Sequence, residues 1–270
     1  MQLQFTKMNG AGNDFVLMDN RSGEISLTPE QIARICHRQR GVGADGLMLL
    51  VDNESGDADW SWQFFNSDGN HADMCGNGAR CFARYVQKTA GNRGAMTFKT
   101  GAGIIHAEFD GELVTVGLTP PKDLKLKIPV PLNSGEVETH FVNTGVEHAV
   151  IFVEDADAAM VSEVGHEVRF HQVFQPKGTN VNFVQILGDH SIRVRTYERG
   201  VEGETLACGT GVCASAIISS ELMGMNQPLS VKVQGGDLLN VLFDKGEDGT
   251  YSNIRLKGPA DFCFSGVIGI

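Results

Sequence analysis

An internal repeat limits the fold of this sequence more than any other feature. Laying the second half of the 270 residues over the first with an offset of 133 places Cys208-Gly209-Thr210-Gly211 on Cys75-Gly76-Asn77-Gly78. Without any change of offset, Gly145 falls on Gly12, Tyr197 on Phe64 in the stretch ahead of each cysteine, and Ala216 on Ala83 behind it. Separate motifs held at one offset point to duplication. The expected product is a pair of similar lobes that face each other, each with one Cys-Gly-x-Gly element.

Local patterns give a mostly β chain with a few helices. Leu3 to Phe5, Phe15 to Asp19, Leu47 to Val51 and the alternating Trp60, Trp62 and Phe64 read as strands, as do Met96 to Lys99, Ile104 to Phe109 and Leu113 to Val116. Thr28-Pro29-Glu30-Gln31 is a helix start: Thr28 caps, Pro29 suits the first turn and Gln31 completes a capping box. Ile32, Ile35 and Cys36 then form that helix's apolar face. Helix-like runs follow each Cys-Gly-x-Gly, from Ala79 to Val86 and from Val212 to Leu222. Four of the eight prolines, Pro120, Pro121, Pro129 and Pro131, crowd together, and this reads as an extended interdomain crossing. The expected lobes are therefore residues 1–119 and 120–260.

Composition removes several function classes. Net charge is −11 with no run of Lys and Arg, so nucleic acid and anionic membrane are poor partners. No apolar run approaches a membrane span and the first residues do not resemble a signal peptide, so a cytoplasmic protein is expected. None of the six cysteines forms a C-x-x-C pair, so no zinc site and no metal are expected. Cys81 and Cys213 lie inside the helix-like runs as packing residues, and Cys36 and Cys263 are expected to be buried.

Cys75 and Cys208 carry the chemistry. In each copy the glycines are expected to turn the backbone tightly, leaving the cysteine at or just before a helix N-terminus. There the dipole and free N–H groups favour a thiolate and bind an anion. Two such elements can grip one carboxylate and put a sulfur on each face of its α-carbon, which inversion at carbon requires. Neither copy has the G-x-x-x-x-G-K-[ST] spacing of a phosphate-binding loop.

At this point the sequence resembles the diaminopimelate epimerases over essentially its whole length. The resemblance rests on Lys7-Met8-Asn9-Gly10-Ala11-Gly12-Asn13-Asp14-Phe15, Gly41-Val42-Gly43-Ala44-Asp45-Gly46, Phe65-Asn66-Ser67-Asp68-Gly69 and Met74-Cys75-Gly76-Asn77-Gly78-Ala79-Arg80-Cys81. In the second half it rests on Gly178-Thr179-Asn180-Val181-Asn182-Phe183, Tyr197-Glu198-Arg199-Gly200 and Glu204-Thr205-Leu206-Ala207-Cys208-Gly209-Thr210-Gly211. It implies an α/β (α+β) fold of two pseudo-symmetric lobes, each a barrel-like, mostly antiparallel sheet wrapped around a central helix. Residues 261–270 would return to the first lobe. It also implies no cofactor, and a homodimer.

The implied activity is interconversion of LL- and meso-diaminopimelate, in lysine and peptidoglycan precursor biosynthesis. Cys75 and Cys208 would be the acid–base pair, with His148 and Glu198 tuning the thiols. The backbone of Gly76, Asn77, Gly209 and Thr210 would hold the reacting carboxylate. Asn13, Asn66, Asn180, Glu198 and Arg199 would recognise the far amino-acid end. Two departures fall in that recognition set. Gly145-Val146-Glu147-His148 stands where many members have Gly-Asn-Pro-His, and Gly46 where some carry Gln.

The nearest rival is a cofactor-independent racemase of another amino acid, such as histidine or proline. Proline racemases typically have His where this chain has Asn77, and they lack the Glu198-Arg199 pair. A pyridoxal-phosphate racemase would need a Schiff-base lysine and a phosphate site, for which there is no evident context. A non-catalytic two-lobed binding protein would not need both Cys75 and Cys208.

Overall fold

The computed structural model describes residues 1–91 and 94–270. The chain divides into two compact units, Met1–Gly117 with Gly258–Ile270, and Leu118–Lys257.

The first unit opens with β1 (Gln2–Gly10), β2 (Asn13–Asp19) and helix α1 (Pro29–Cys36). Strands β3 (Gly46–Val51) and β4 (Trp60–Asn66) precede helix α2 (Gly76–Ala90), and β5 (Ala95–Thr100), β6 (Gly103–Asp110) and β7 (Leu113–Gly117) follow it. Neighbouring pairs are antiparallel except β2–β3 and β4–β5, which are parallel. A parallel pair needs a crossover, and the two crossovers carry α1 and α2. Because α2 touches β1, β2 and β3 as well as β6 and β7, the sheet curls around it. A helix enclosed in this way must be apolar on nearly every side, and α2 is buried from Gly76 through Ala83. The strands of β2 and β3 are covered on both faces, so they read as continuous apolar runs. Val16, Met18, Leu47 and Leu49 pack with Ile32 and Ile35 of α1. The alternate residues Phe15 and Met48 lie against Gly78 of α2.

The second unit repeats this order. It contains β8 (Lys122–Leu132), β9 (Gly135–Asn143), β10 (Glu147–Phe152), α3 (Val161–Phe170), β11 (Asn180–Gly188), β12 (Ser191–Glu198) and the short β13 (Gly203–Thr205). Helix α4 (Gly209–Met223), β14 (Leu229–Lys232), β15 (Leu238–Lys245) and β16 (Tyr251–Pro259) complete it. The parallel pairs are again two, β10–β11 across α3 and β12–β14 across α4. Helix α4 touches β9, β10, β11, β12, β14 and β15. The last strand, β17 (Asp261–Gly269), pairs antiparallel with β1, as β8 does with β9. Shifted by 133, α2 coincides with α4 and β1 with β9, residue for residue.

Three readings need correction. The proline-rich segment is not a bare crossing: Lys122–Leu132 is strand β8 of the second unit. It tolerates Pro129 and Pro131, which pair in regular register with Glu138 and Glu136, because among the described residues β8 pairs with β9 alone and so lies at a sheet edge. Its two register shifts and the left-handed Asp123 (φ 59°) and Lys127 (φ 54°) fall ahead of them. Cys263 is exposed, not buried, because it lies on an open face of β17. The glycines of Cys-Gly-x-Gly do not form a turn ahead of the helices. They are the first and third helical residues, and Cys75 and Cys208 are the N-caps.

Candidate active site

In the first unit, the chain reverses between β1 and β2 through Ala11 (φ 61°) and Gly12 (φ 88°), a two-residue hairpin that needs left-handed backbone at both positions. This turn delivers Asn13. Its Nδ2 donates to Asp45 Oδ2 at 2.7 Å, so its Oδ1 is left to accept from Cys75 Sγ, 3.4 Å away. The Cys75 sulfur also accepts the Gly78 N–H at 3.4 Å, the bond expected of an N-cap. Asp45 is itself fixed by Arg38 (2.8 Å), which forms a two-pronged pair with Asp14 (3.0 Å on each oxygen). Lys7 reaches Asp14 at 2.7 Å and also bonds the Gly43 carbonyl. Burial pushes the Asp14 carboxyl up, but Arg38 and Lys7 outweigh it and lower it to about 2. Asn77 is buried at the start of α2, where its Oδ1 accepts from Arg80 Nη2 at 3.1 Å. Arg80 is fully buried and also bonds the Gly76 and Pro259 carbonyls. Asn66 ends β4 with an exposed side chain.

In the second unit, a polar chain runs from Asn182 on β11 to Cys208. The Asn182 amide is oriented by two bonds: Nδ2 donates to the Ala149 carbonyl (3.0 Å) and Oδ1 accepts from Thr196 Oγ1 (2.9 Å). Its remaining Nδ2 hydrogen meets His148 Nδ1 at 3.2 Å. With Nδ1 accepting, the imidazole carries its proton on Nε2, which donates to Thr210 Oγ1 at 2.9 Å. The Thr210 hydroxyl hydrogen is then free to point at Cys208 Sγ, 3.5 Å away. His148 is fully buried, and desolvation, helped by the charge of Arg199, pushes its pKa down to about 3. The ring is therefore a neutral donor across the physiological range. Thr144 Oγ1 holds the Thr210 carbonyl at 2.9 Å, which anchors the start of α4.

The second glycine of each motif packs on the strands beneath. A Cβ at Gly211 would lie 2.3 Å from Asn182 Oδ1 and 3.3 Å from His148 Cε1. A Cβ at Gly78 would lie 2.2 Å from Met48 Cε, the mobile tip of a side chain. Each helix start thus rests directly on the β-strand that carries its supporting side chains.

Arg199 follows β12. Its Nη1 pairs with Glu147 Oε2 at 2.8 Å and also donates to the carbonyls of Lys177 (3.1 Å) and Gly178 (3.4 Å). Asn180 bridges the same two residues through their backbones, donating to the Glu147 carbonyl and accepting the Arg199 N–H, both at 2.9 Å. Glu198 is half-buried at the end of β12. Burial raises the Glu147 carboxyl, but its own backbone N–H, Lys177 and Arg199 lower it by more, so it stays ionised.

Sequence reasoning did not single out Asp45, Asn182, Thr196 or Glu147. Asp45 and Asn182 lie inside the quoted motifs. Asn182 and Thr196 occupy inward positions of apolar strands, where a lone polar residue must have a partner.

The family model described as "Diaminopimelate epimerase" matches residues 5–122 and 140–262. The diaminopimelate epimerase of Aquifex aeolicus (strain VF5) is 44% identical over 257 residues, covering 90% of this chain and 91% of that protein. Among solved structures, a phenazine biosynthesis protein of the PhzF family from Bacillus anthracis superposes with a TM-score of 0.77 at 15% identity, covering 100% of both chains. A hydroxyproline epimerase from Agrobacterium vitis superposes with a TM-score of 0.74 at 15% identity, covering 99% of this chain and 92% of that one. These two likenesses establish the fold. With a matching family model over most of its length and a relative at this identity, the chain belongs to the diaminopimelate epimerase family.

Proposed function

We propose that this protein interconverts LL- and meso-diaminopimelate by proton transfer between the α-carbon and two cysteines, Cys75 and Cys208. The observation that carries the reading is that each cysteine is the N-cap of one of two equivalent helices, and each sulfur ends a chain of ordered polar groups. One sulfur, as thiolate, takes the α-proton from one face. The other, as thiol, gives a proton to the opposite face, so the two sulfurs end with their protonation states exchanged.

The developing charge moves onto the substrate carboxylate. Backbone N–H groups in the first turns of α2 and α4, at Gly76, Asn77, Gly209 and Thr210, lie at the positive ends of the two helices and are suited to receive it. Thr210 offers a hydrogen to Cys208 and so favours the ionised sulfur there. Cys75 offers its hydrogen to Asn13, which suits the acid. In this arrangement Cys208 acts as base and Cys75 as acid, and the reverse reaction exchanges the roles. In this reading His148 acts through Thr210, and Glu198 receives the far ammonium. The two thiols supply both proton transfers, so the reading assigns no cofactor or metal.

Among the described residues no helix is long and apolar enough to cross a membrane. The reading places the protein in the cytoplasm as a homodimer, on the strength of the family resemblance, and sedimentation equilibrium tests the second point. Incubating the purified, reduced protein with LL-diaminopimelate and resolving the stereoisomers by chiral chromatography tests the activity. Accumulation of the meso isomer is expected, and an unchanged LL sample would remove the substrate assignment.

A further inference from the structure

Glu147 stands where the sequence departs from Gly-Asn-Pro-His, and the structure gives it a role that the departure alone does not suggest. Its side chain is 13% exposed and its carboxylate is fully engaged. Oε2 takes Arg199 Nη1, while Oε1 takes Asn143 Nδ2 at 3.3 Å and Lys177 Nζ at 3.2 Å. All three side-chain hydrogen bonds of Arg199 fall on Nη1. Among the described residues its Nε and Nη2 make none, and the side chain is 24% exposed. A guanidinium recognises a carboxylate best through two parallel N–H groups, and Nε with Nη2 is such a pair.

The local charges agree with this arrangement. One carboxylate faces two cations, Arg199 and Lys177, so the cluster keeps a net positive charge toward an incoming anion. A carboxylate that competed with substrate would occupy the bidentate edge of Arg199. Glu147 instead takes the opposite corner, and Asn180 ties the two backbones together.

We propose that Glu147 is a positioning residue for substrate choice: by holding Nη1 of Arg199 it presents the Nε–Nη2 edge to a second carboxylate on the substrate. The inference rests on the reading of Arg199 as the group that meets the far end of diaminopimelate. Val146 carries no hydrogen-bonding side chain, so the bidentate grip on the far carboxylate falls to the oriented guanidinium.

The test is steady-state kinetics with LL-diaminopimelate for the wild type, Glu147→Gln, Arg199→Met and the double variant. Glu147→Gln is expected to raise KM about ten-fold, with kcat within about two-fold, because only far-end binding is disturbed. In the Arg199→Met background the same substitution should change KM by less than about two-fold, since nothing is left to orient. If Glu147→Gln does not fold, Glu147→Asp carries the same test: it keeps the charge but not the reach, so KM should again rise alone. A KM that stays or falls in Glu147→Gln, a loss of kcat without a rise in KM, or an effect that persists in full without Arg199 would each overturn the inference. No conversion by the wild type would overturn the reading of the site as well. Conversion with an unchanged KM in Glu147→Gln would overturn this inference alone.

Discussion

Nε2 of His148 lies 2.9 Å from Oγ1 of Thr210, and that hydroxyl lies 3.5 Å from the sulfur of Cys208. A buried, neutral imidazole thus acts on the thiol through a threonine rather than by touching it. Thr210→Val keeps the shape and removes the link. It is expected to lower kcat about 10- to 100-fold, since a hydrogen bond to a charged group contributes about 1.5–3 kcal/mol. KM should hardly move, because the backbone N–H groups at the helix start remain. Initial-rate kinetics check this, and a KM effect without a kcat effect would contradict it.

The depressed pKa of His148 has a consequence for stability. The unfolded ring takes up a proton near pH 6.5, while the folded ring resists to about 3. Below pH 6.5 the unfolded state therefore binds more protons and stability falls, with a limiting slope of about 1.4 kcal/mol per pH unit. The lowered carboxylates, such as Asp14, lose their contribution only as pH drops through and below the ordinary carboxylate range. Between pH 6.5 and 5, His148 should account for about 1.5 kcal/mol of lost stability. Urea unfolding of wild type and His148→Gln across this range measures the difference. Parallel pH profiles for the two proteins would contradict the account.

The two second glycines should differ in their tolerance of a methyl group. In Gly211→Ala the new carbon meets Asn182 Oδ1, which three hydrogen bonds through the amide hold in place. Overpacking of this kind costs about 1–3 kcal/mol and here also displaces the His148 support. In Gly78→Ala the new carbon meets the Met48 tip, which can move, and alanine gains about 1 kcal/mol of helix propensity. Gly78→Ala should therefore be close to neutral in thermal unfolding and Gly211→Ala clearly destabilised. Equal losses would show that the helix starts are not packed as described.

Asp45 offers a test in the first unit. It holds Asn13 Nδ2 and is held by Arg38, so Asp45→Ala should free the Asn13 amide and weaken its contact with Cys75. A drop in kcat of about ten-fold is expected, and the thermal midpoint should move little because Arg38 keeps Asp14. Unchanged kcat would detach Asn13 from the thiol.

Much of this was readable from the residues. The offset of 133 located both cysteines, and the capping box at Thr28 marked α1 because local chemistry decides a helix start. Helices α2 and α4 begin three residues earlier than their apolar runs suggested. The intervening glycines are poor helix formers, and the boundary is set by cysteine caps that only the fold reveals. The proline-rich β8 reads as a crossing in the sequence because the pattern cannot show that the strand pairs on one side only, where proline is accommodated. The supports behind each sulfur were hidden for a different reason. Asp45 acts on Asn13 from 32 residues away and Asn182 on His148 from 34, and such pairings come from strand register rather than local pattern. Asn180 shows the opposite case, a motif residue whose amide is engaged by backbone groups of Glu147 and Arg199.

The central claim is that two thiols act on one carbon, and isotope transfer tests it most directly. LL-diaminopimelate is incubated in D₂O with the reduced enzyme and followed by proton NMR at early times, beside Cys75→Ala and Cys208→Ala. The account predicts that the first meso product carries deuterium at the inverted centre while unreacted LL substrate keeps its protium, and that both variants form no meso product. Meso product that retains the substrate's own α-proton, or conversion that survives in either variant, would contradict it.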